Sequence, residues 1–519
     1  MKTVTTILLA FFIFNGSLRS QTNSDYNLTI GKSFSSYYYL VGDVVKETDE
    51  YYYELIAAPN KVALLIMDKE LNYIKRTSFG VYATDFRKVL NLNNKSYIIS
   101  GLKGKKKSLV VGLSTFNEDK KRFNTYEPIA SIEAPDFKSN KPIFSFVEVS
   151  NNQEYIVCLT DVVDGKKNAA SVALVVFDNN FKEVWRKSNI QISTIPGVNI
   201  SKQVKVDDEG NVYILSKIGH FKDEKYGVDL ALDDQTYEYE IHVINGDESD
   251  VKKFKVALEN QKITGIDFLM LEDGNLEFLG TYLDKIEDQM GVFDLIMMKN
   301  GESAISLNQI ENFYETQFVN EYGGPFNFSG FRFNVNQIRN NSDGSVTMIA
   351  EQYLERVSTY RQYWFGKILV VNFDESGTLV WSKVIPKMQG MNLAKPGEFG
   401  LMSYTLIDLP NNKIGFVYND AREDTDEEDE EEDDEITDDQ NEQVEIWYNN
   451  STFPVHPWKT EIVVSTIDSK GNLEREVVGV AGDYGCRITL GTGYVTSEGD
   501  IIFTGHFNKD KWLLKLSFE

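Results

Sequence analysis

Eight times along the 519 residues, a polar turn runs into a short apolar strand. The copies begin at Thr48 (TDEYYYELI), Asn93 (NNKSYIISG), Asn151 (NNQEYIVCL), Asp208 (DEGNVYILS), Glu272 (EDGNLEFLG), Ser342 (SDGSVTMIA), Pro410 (PNNKIGFVY) and Ser497 (SEGDIIFTG). Asn-Asn, Glu-Gly and Asp-Gly suit tight hairpins because these residues tolerate positive φ. With Glu50, Asn94, Asn152, Gly210, Gly274, Gly344, Asn412 and Gly499 as equivalent points, the copies recur at intervals of 44 to 87 residues. A period of that size marks a repeat architecture. A further apolar strand precedes each copy, such as Ile266 to Leu271 or Ser403 to Leu409.

A second module follows each hairpin, clearest from Ala63, Ala173, Ile368 and Ile462. In these four an Asp (Asp68, Asp178, Asp374, Asp468) opens a turn, and the residue seven further on (Lys75, Trp185, Trp381, Arg475) falls in the next strand. Weaker copies run from Ser108, Glu240 and Phe293, and the eighth, Trp512 to Phe518, ends the chain without its fourth strand. Each unit is thus a four-stranded meander. The third strands are continuously apolar rather than alternating, which implies a sheet covered on both faces. Blades of a β-propeller meet that condition, each lying between two neighbours. The expectation is an all-β propeller of eight four-stranded blades, closed by Asn27 to Phe34 as the missing strand of the last blade. Seven blades is the alternative, because the first unit is the least regular.

These repeats, and the Val370 to Val384 pattern of strand, Asp turn and Val-Trp strand, resemble those of secreted β-propellers. The low-Pro chain, rich in Asn, Lys and Tyr, is similar in style to exported proteins of Bacteroidota-type Gram-negative bacteria. The resemblance covers nearly the whole mature chain and implies a fold, not an activity. The address agrees with it. Met1-Lys2, an apolar stretch from Ile7 to Phe14 and a polar segment ending at Ser20 have the layout of a secretory signal peptide, with an apolar core too short to span a bilayer. The expected organisation is a signal peptide over 1–20 and one propeller domain over 21–519. The mature chain, with no transmembrane span, would reside in the periplasm or on the outer cell surface.

Net charge is −26, from 53 Lys and Arg against 79 Asp and Glu. Such a surface repels phosphate backbones, so nucleic acid is not expected as a partner. Much of the charge lies in one run, residues 423–445, where 16 of 23 residues are Asp or Glu. Like-charge repulsion makes it an acidic disordered insertion within the seventh blade, with at most weak Ca²⁺ association. No other cofactor is expected. Cys158 and Cys486 are too few and too far apart for a disulfide scaffold or a haem-attachment motif. They read as buried thiols, a single long-range disulfide being the alternative. Of the four histidines, His242 falls in a strand, while His220, His456 and His506 read as loop residues without metal-ligand spacing.

No sialidase-type box, EF-hand loop or nucleophile elbow is present. Aromatic residues instead crowd three segments expected to be loops: Gln309 to Gly330, Arg356 to Trp364, and the stretch after the acidic run. All three fall between second and third strands or between blades, on the end of the ring opposite the short turns. Long loops on a rigid scaffold are where binding is built, and aromatic anchors dominate recognition. The expectation is therefore a non-catalytic interaction module of the cell envelope. It would bind an envelope protein or glycan through Tyr314, Tyr322, Tyr360, Trp364, Trp447 and Trp458 on the insertion-bearing face. The alternatives are a glycan-active enzyme with paired carboxylates in the central funnel, or a structural subunit of an outer-membrane or secretion assembly.

Overall fold

A computed structural model gives the architecture. It describes the strands and tight turns between Tyr26 and Phe518. Outside the description lie residues 1–25, 36–43, 58–61, 80–85, 105–107, 134–143, 164–169, 194–198, 221–235, 248–250, 285–289, 310–317, 320–331, 358–360, 393–402, 410–411, 422–445, 448–459, 481–486 and 508–509, with positions 272, 300, 388 and 519.

Eight antiparallel meanders follow one another around the ring: residues 44–78, 86–133, 144–193, 199–256, 261–309, 332–385, 405–480 and 487–518, here blades 1 to 8. The seven-blade alternative is excluded. The ring closes as the truncated last repeat requires. Tyr26–Ile30 becomes the outermost strand of blade 8, with Tyr26 opposite Phe518 and Ile30 opposite Leu514, and Phe34–Ser35 adds a short second pairing.

Continuous apolar strands arise because successive side chains serve opposite seams. In blade 3, Ile156, Cys158, Ala173, Val175 and Phe177 face blade 2, while Val157, Leu159, Val172, Leu174 and Val176 face blade 4. The core clusters follow these seams, one of them running through blades 6, 7 and 8, and the closing one joins Tyr52, Ile56 and Leu65 of blade 1 to Ile502 and Leu513 of blade 8. Burial fades outward: the third strand of blade 5, Met290–Met297, is nearly all buried, and its fourth, Ser303–Gln309, is mostly exposed. Cys158 is a free, fully buried thiol, its pKa pushed up to about 12 by burial; Cys486 lies outside the described residues.

The turn-opening aspartates earn their place by capping. Asp374 Oδ1 accepts the backbone N–H groups of Ser376 and Thr378, each at 2.9 Å, and Asp468 Oδ1 accepts those of Lys470 and Asn472 at 2.9 Å. Gly471 in the latter turn has φ +79° and lies under the Trp381 ring of the preceding blade. Trp381 Nε1 also donates to Ser469 O at 3.1 Å. Trp185 clasps blade 4 in the same manner, packing on Gly246 and donating to Gly210 O at 3.1 Å. The Val-Trp strand is thus an inter-blade clasp. Trp381→Ala removes a half-buried ring and one hydrogen bond, so thermal unfolding should show a loss of about 2 kcal/mol.

Candidate functional site

In each meander the first-to-second and third-to-fourth turns share one end of the ring; second-to-third loops and blade connections share the other. Of the six predicted ligand-binding residues, Tyr314, Tyr322, Tyr360 and Trp458 lie outside the described residues. Trp364 and Trp447 are placed through their backbones, and both stand in strands.

The setting of Trp364 differs from the expected loop. Of the stretch Arg356 to Trp364, expected as a loop, the described residues belong to the far end of a hairpin formed by Val346–Val357 and Arg361–Phe373. Its partners run from Tyr353 opposite Phe365 to Val357 opposite Arg361, with Trp364 opposite Leu354. This hairpin outruns the first and fourth strands of blade 6, and Gln389–Asn392 pairs along its outer side, Gly390 opposite Trp364. The aromatic crowding read as loop payload is also strand propensity. Two histidine assignments change likewise. His220 ends Val212–His220, and His506 lies within Ile501–Phe507.

The connection from blade 5 to blade 6 and the insertion of blade 7 meet. Phe318–Val319 pairs in parallel with Ile446–Trp447, Trp447 opposite Val319. Two of the three aromatic-rich segments are therefore joined, on the same end of the ring as the blade 6 hairpin.

A buried polar network anchors that hairpin. Lys387, which follows the fourth strand of blade 6, is fully buried, and its Nζ lies 2.7 Å from Glu351 Oε1 and donates to Gln389 Oε1 at 3.1 Å. Glu351 Oε2 accepts from Ser403 Oγ at 2.6 Å, and Gln389 Nε2 donates to Asn419 O of blade 7 at 2.6 Å. Ser403 N in turn donates to Gln389 Oε1 at 2.6 Å, holding Ser403 at φ +72°. Burial lowers the Lys387 pKa, and Glu351 opposes that. Burial raises the Tyr404 hydroxyl, as does the Glu351 charge. Nothing in the sequence flagged this network, because its members come from separate elements and carry no motif.

Around the axis, the first strands of neighbouring blades contact one another. There Lys88 pairs with Glu148 at 3.0 Å, Lys205 with Asp267 at 3.0 Å, and Arg339 with Asp408. Each pair joins the first strand of one blade to that of the next, so these carboxylates are met by cations. Among the described residues, no group of three or more His, Cys, Asp or Glu gathers to hold a metal.

On the short-turn face, a cleft of about 530 Å³ opens between blades 4 and 5, lined by Asp207, Asn211, Tyr213, Phe254, Met297 and Lys299 among others. Its polar groups are largely spent on the turns. Asp207 accepts the backbone N–H groups of Glu209 and Asn211 and the Tyr213 hydroxyl, and Asp208 Oδ1 accepts Asn152 N of blade 3. This is turn architecture rather than a prepared ligand site.

No family model and no curated protein matches this chain. Distant likenesses exist among solved structures. A prolyl endopeptidase is 10% identical over 73% of this chain at a TM-score of 0.32, and this chain spans only 54% of its length. An ulvan lyase, a polysaccharide lyase, is 9% identical over 60% of this chain and 75% of its own, at 0.38. The β-propeller domain of the Trilobed protease from Pyrococcus furiosus is 10% identical over 70% and 98%, at 0.29. Likenesses this remote bear on no site.

Proposed function

We propose that the chain is a non-catalytic interaction module of the cell envelope, of the kind exported by Bacteroidota-type Gram-negative bacteria, delivered by residues 1–20. It binds an envelope protein or glycan on the face that carries the long insertions. The observation supporting this most is the parallel pairing of Phe318–Val319 with Ile446–Trp447, which brings aromatic-rich segments from two parts of the chain together. A rigid ring with converging loops is a usual way to build a binding surface. The glycan-enzyme reading calls for carboxylates free to act as acid and base across the funnel. The ion pairing of Glu148, Asp267 and Asp408 on the first strands speaks against those three in that role.

The test is capture of envelope proteins and glycans by the mature chain and by a Trp364→Ala, Trp447→Ala, Trp458→Ala triple variant. Lost capture with an unchanged melting temperature is expected, because aromatic anchors that meet a ligand carry recognition. Retained capture with a lowered melting temperature would mean that the aromatics only pack the loops. Turnover of a captured glycan would replace this reading with the enzyme one.

A further inference from the structure

On the blade 5 face that meets blade 6, two buried carboxyl groups, Glu277 and Asp294, stand without a described cation, while a third, Asp267, is held by Lys205. Glu277 lies on Leu276–Asp284 and Asp294 on Met290–Met297. In the register Glu277 is opposite Ile296 and Leu279 opposite Asp294, so the two are diagonal neighbours on one face of the sheet, a spacing that side chains bridge. That face also presents Leu279 and Val292, which pack with Val371 and Phe373 of blade 6. Glu277 is 6% exposed and Asp294 3%. Asp294 Oδ1 has no hydrogen-bond partner among the described residues. The blade 6 turn at Gly377 closes directly over Asp294 Oδ2, so closely that a Cβ at Gly377 would collide with it.

The charged groups around the seam are engaged elsewhere. Asp374 caps its own turn, and Glu375 stands over Gly344. Arg339 turns to Asp408 of blade 7, and Asp267 is held by Lys205 of blade 4. Lys299 folds across Gly274, and Lys383 lies on the exposed fourth strand. Lys367 is buried nearer the other end of its strand, where burial lowers its pKa to about 8. No described cation compensates the pair.

We propose that this carboxyl pair makes the seam between blades 5 and 6 proton-operated: it closes over the protonated pair and loosens when both groups ionise. Burial pushes Glu277 up to about 7, with the Asp294 charge adding to it, and pushes Asp294 up to about 6. The sign follows from linkage. A carboxyl whose pKa is raised by folding contributes its full stability below its ordinary pKa and loses it as pH rises through the folded value. The loss therefore builds from about pH 4 and is complete above about pH 7. His242 of blade 4 acts in the same window with the opposite sign, since burial lowers it to about 4 and stability falls as pH drops from 6.5 toward that value. The test must therefore use differences between variants.

Glu277→Gln, Asp294→Asn and the double variant remove the titration while keeping the shape. Their melting temperatures relative to the native chain should rise steadily between pH 4.5 and 8, the double variant being the more stable protein at pH 8. A difference independent of pH, or one that falls as pH rises, overturns the proposal. Amide exchange in the native chain supplies a readout that needs no variant. After correction for intrinsic rates, protection of Val292–Ile296 and Val371–Phe373 should drop severalfold from pH 5.5 to pH 8, relative to Val147 and Val175 in the seam of blades 2 and 3. An equal response in both seams also overturns it.

Discussion

A chain beginning at Ser36 will melt well below one beginning at Gln21 and will self-associate. Tyr26, Leu28 and Ile30 pack against the cluster of blades 6 to 8 that includes Ile501, Leu514 and Leu516. Withdrawing three half-buried side chains of this size costs roughly 2–4 kcal/mol, at about half of the 1.5–3 kcal/mol for each fully buried one. The backbone adds to this. Five residue pairs between Tyr26–Ile30 and the last strand disappear, as does the Gly31 N–H donation to Leu513 O at 2.9 Å. The strand Asp510–Phe518 then becomes an unpaired edge, which recruits other strands. Circular dichroism melting with size-exclusion chromatography checks both effects. An unchanged melting temperature would mean that the ring does not depend on its closure.

Lys387→Met will be the most damaging single substitution near the insertion-bearing face. Lys387 and Glu351 are both buried, and removing one partner leaves the other's charge stranded, at a cost of roughly 3–5 kcal/mol. The cause can be separated from lost packing. Adding Glu351→Gln to Lys387→Met discharges the stranded carboxylate, so the double variant should be more stable than Lys387→Met alone. Denaturant titration of the single and double variants gives the coupling. If the two substitutions simply add, the pair contributes as packing and not as charge. Because Gln389 ties this network to Asn419 of blade 7, the same change should increase exchange at Gln389–Asn392 before the ring unfolds.

The ring was legible in the sequence because a propeller repeats its local rules. The turn glycines Gly210, Gly274, Gly344 and Gly499 all take positive φ, and the capping aspartates stand where the repeat puts them. Apolar third strands signalled two covered faces, since each blade is buried between neighbours. What repetition does not encode stayed hidden. The blade 6 hairpin extension is one case: Tyr353, Tyr363 and Phe365 serve equally as strand formers or loop anchors, and pairing partners decide between them. The pairing of Phe318–Val319 with Ile446–Trp447 joins segments more than a hundred residues apart, which no local pattern reports. Glu351, Lys387, Glu277 and Asp294 look like ordinary surface charges until the seams close over them. Long-range burial of polar groups is a property of the assembled ring.

Hydrogen-exchange footprinting of residues 21–519, alone and with bacterial envelope extract, tests the proposed binding face most directly. Protection should concentrate on Val346–Val357, Arg361–Phe373, Gln389–Asn392 and Ile446–Trp447, on the end of the ring that carries the insertions. Protection centred instead on the opposite turns, at Asp207 to Asn211 and Leu271 to Asn275, would contradict the assignment and move the binding surface to the cleft between blades 4 and 5.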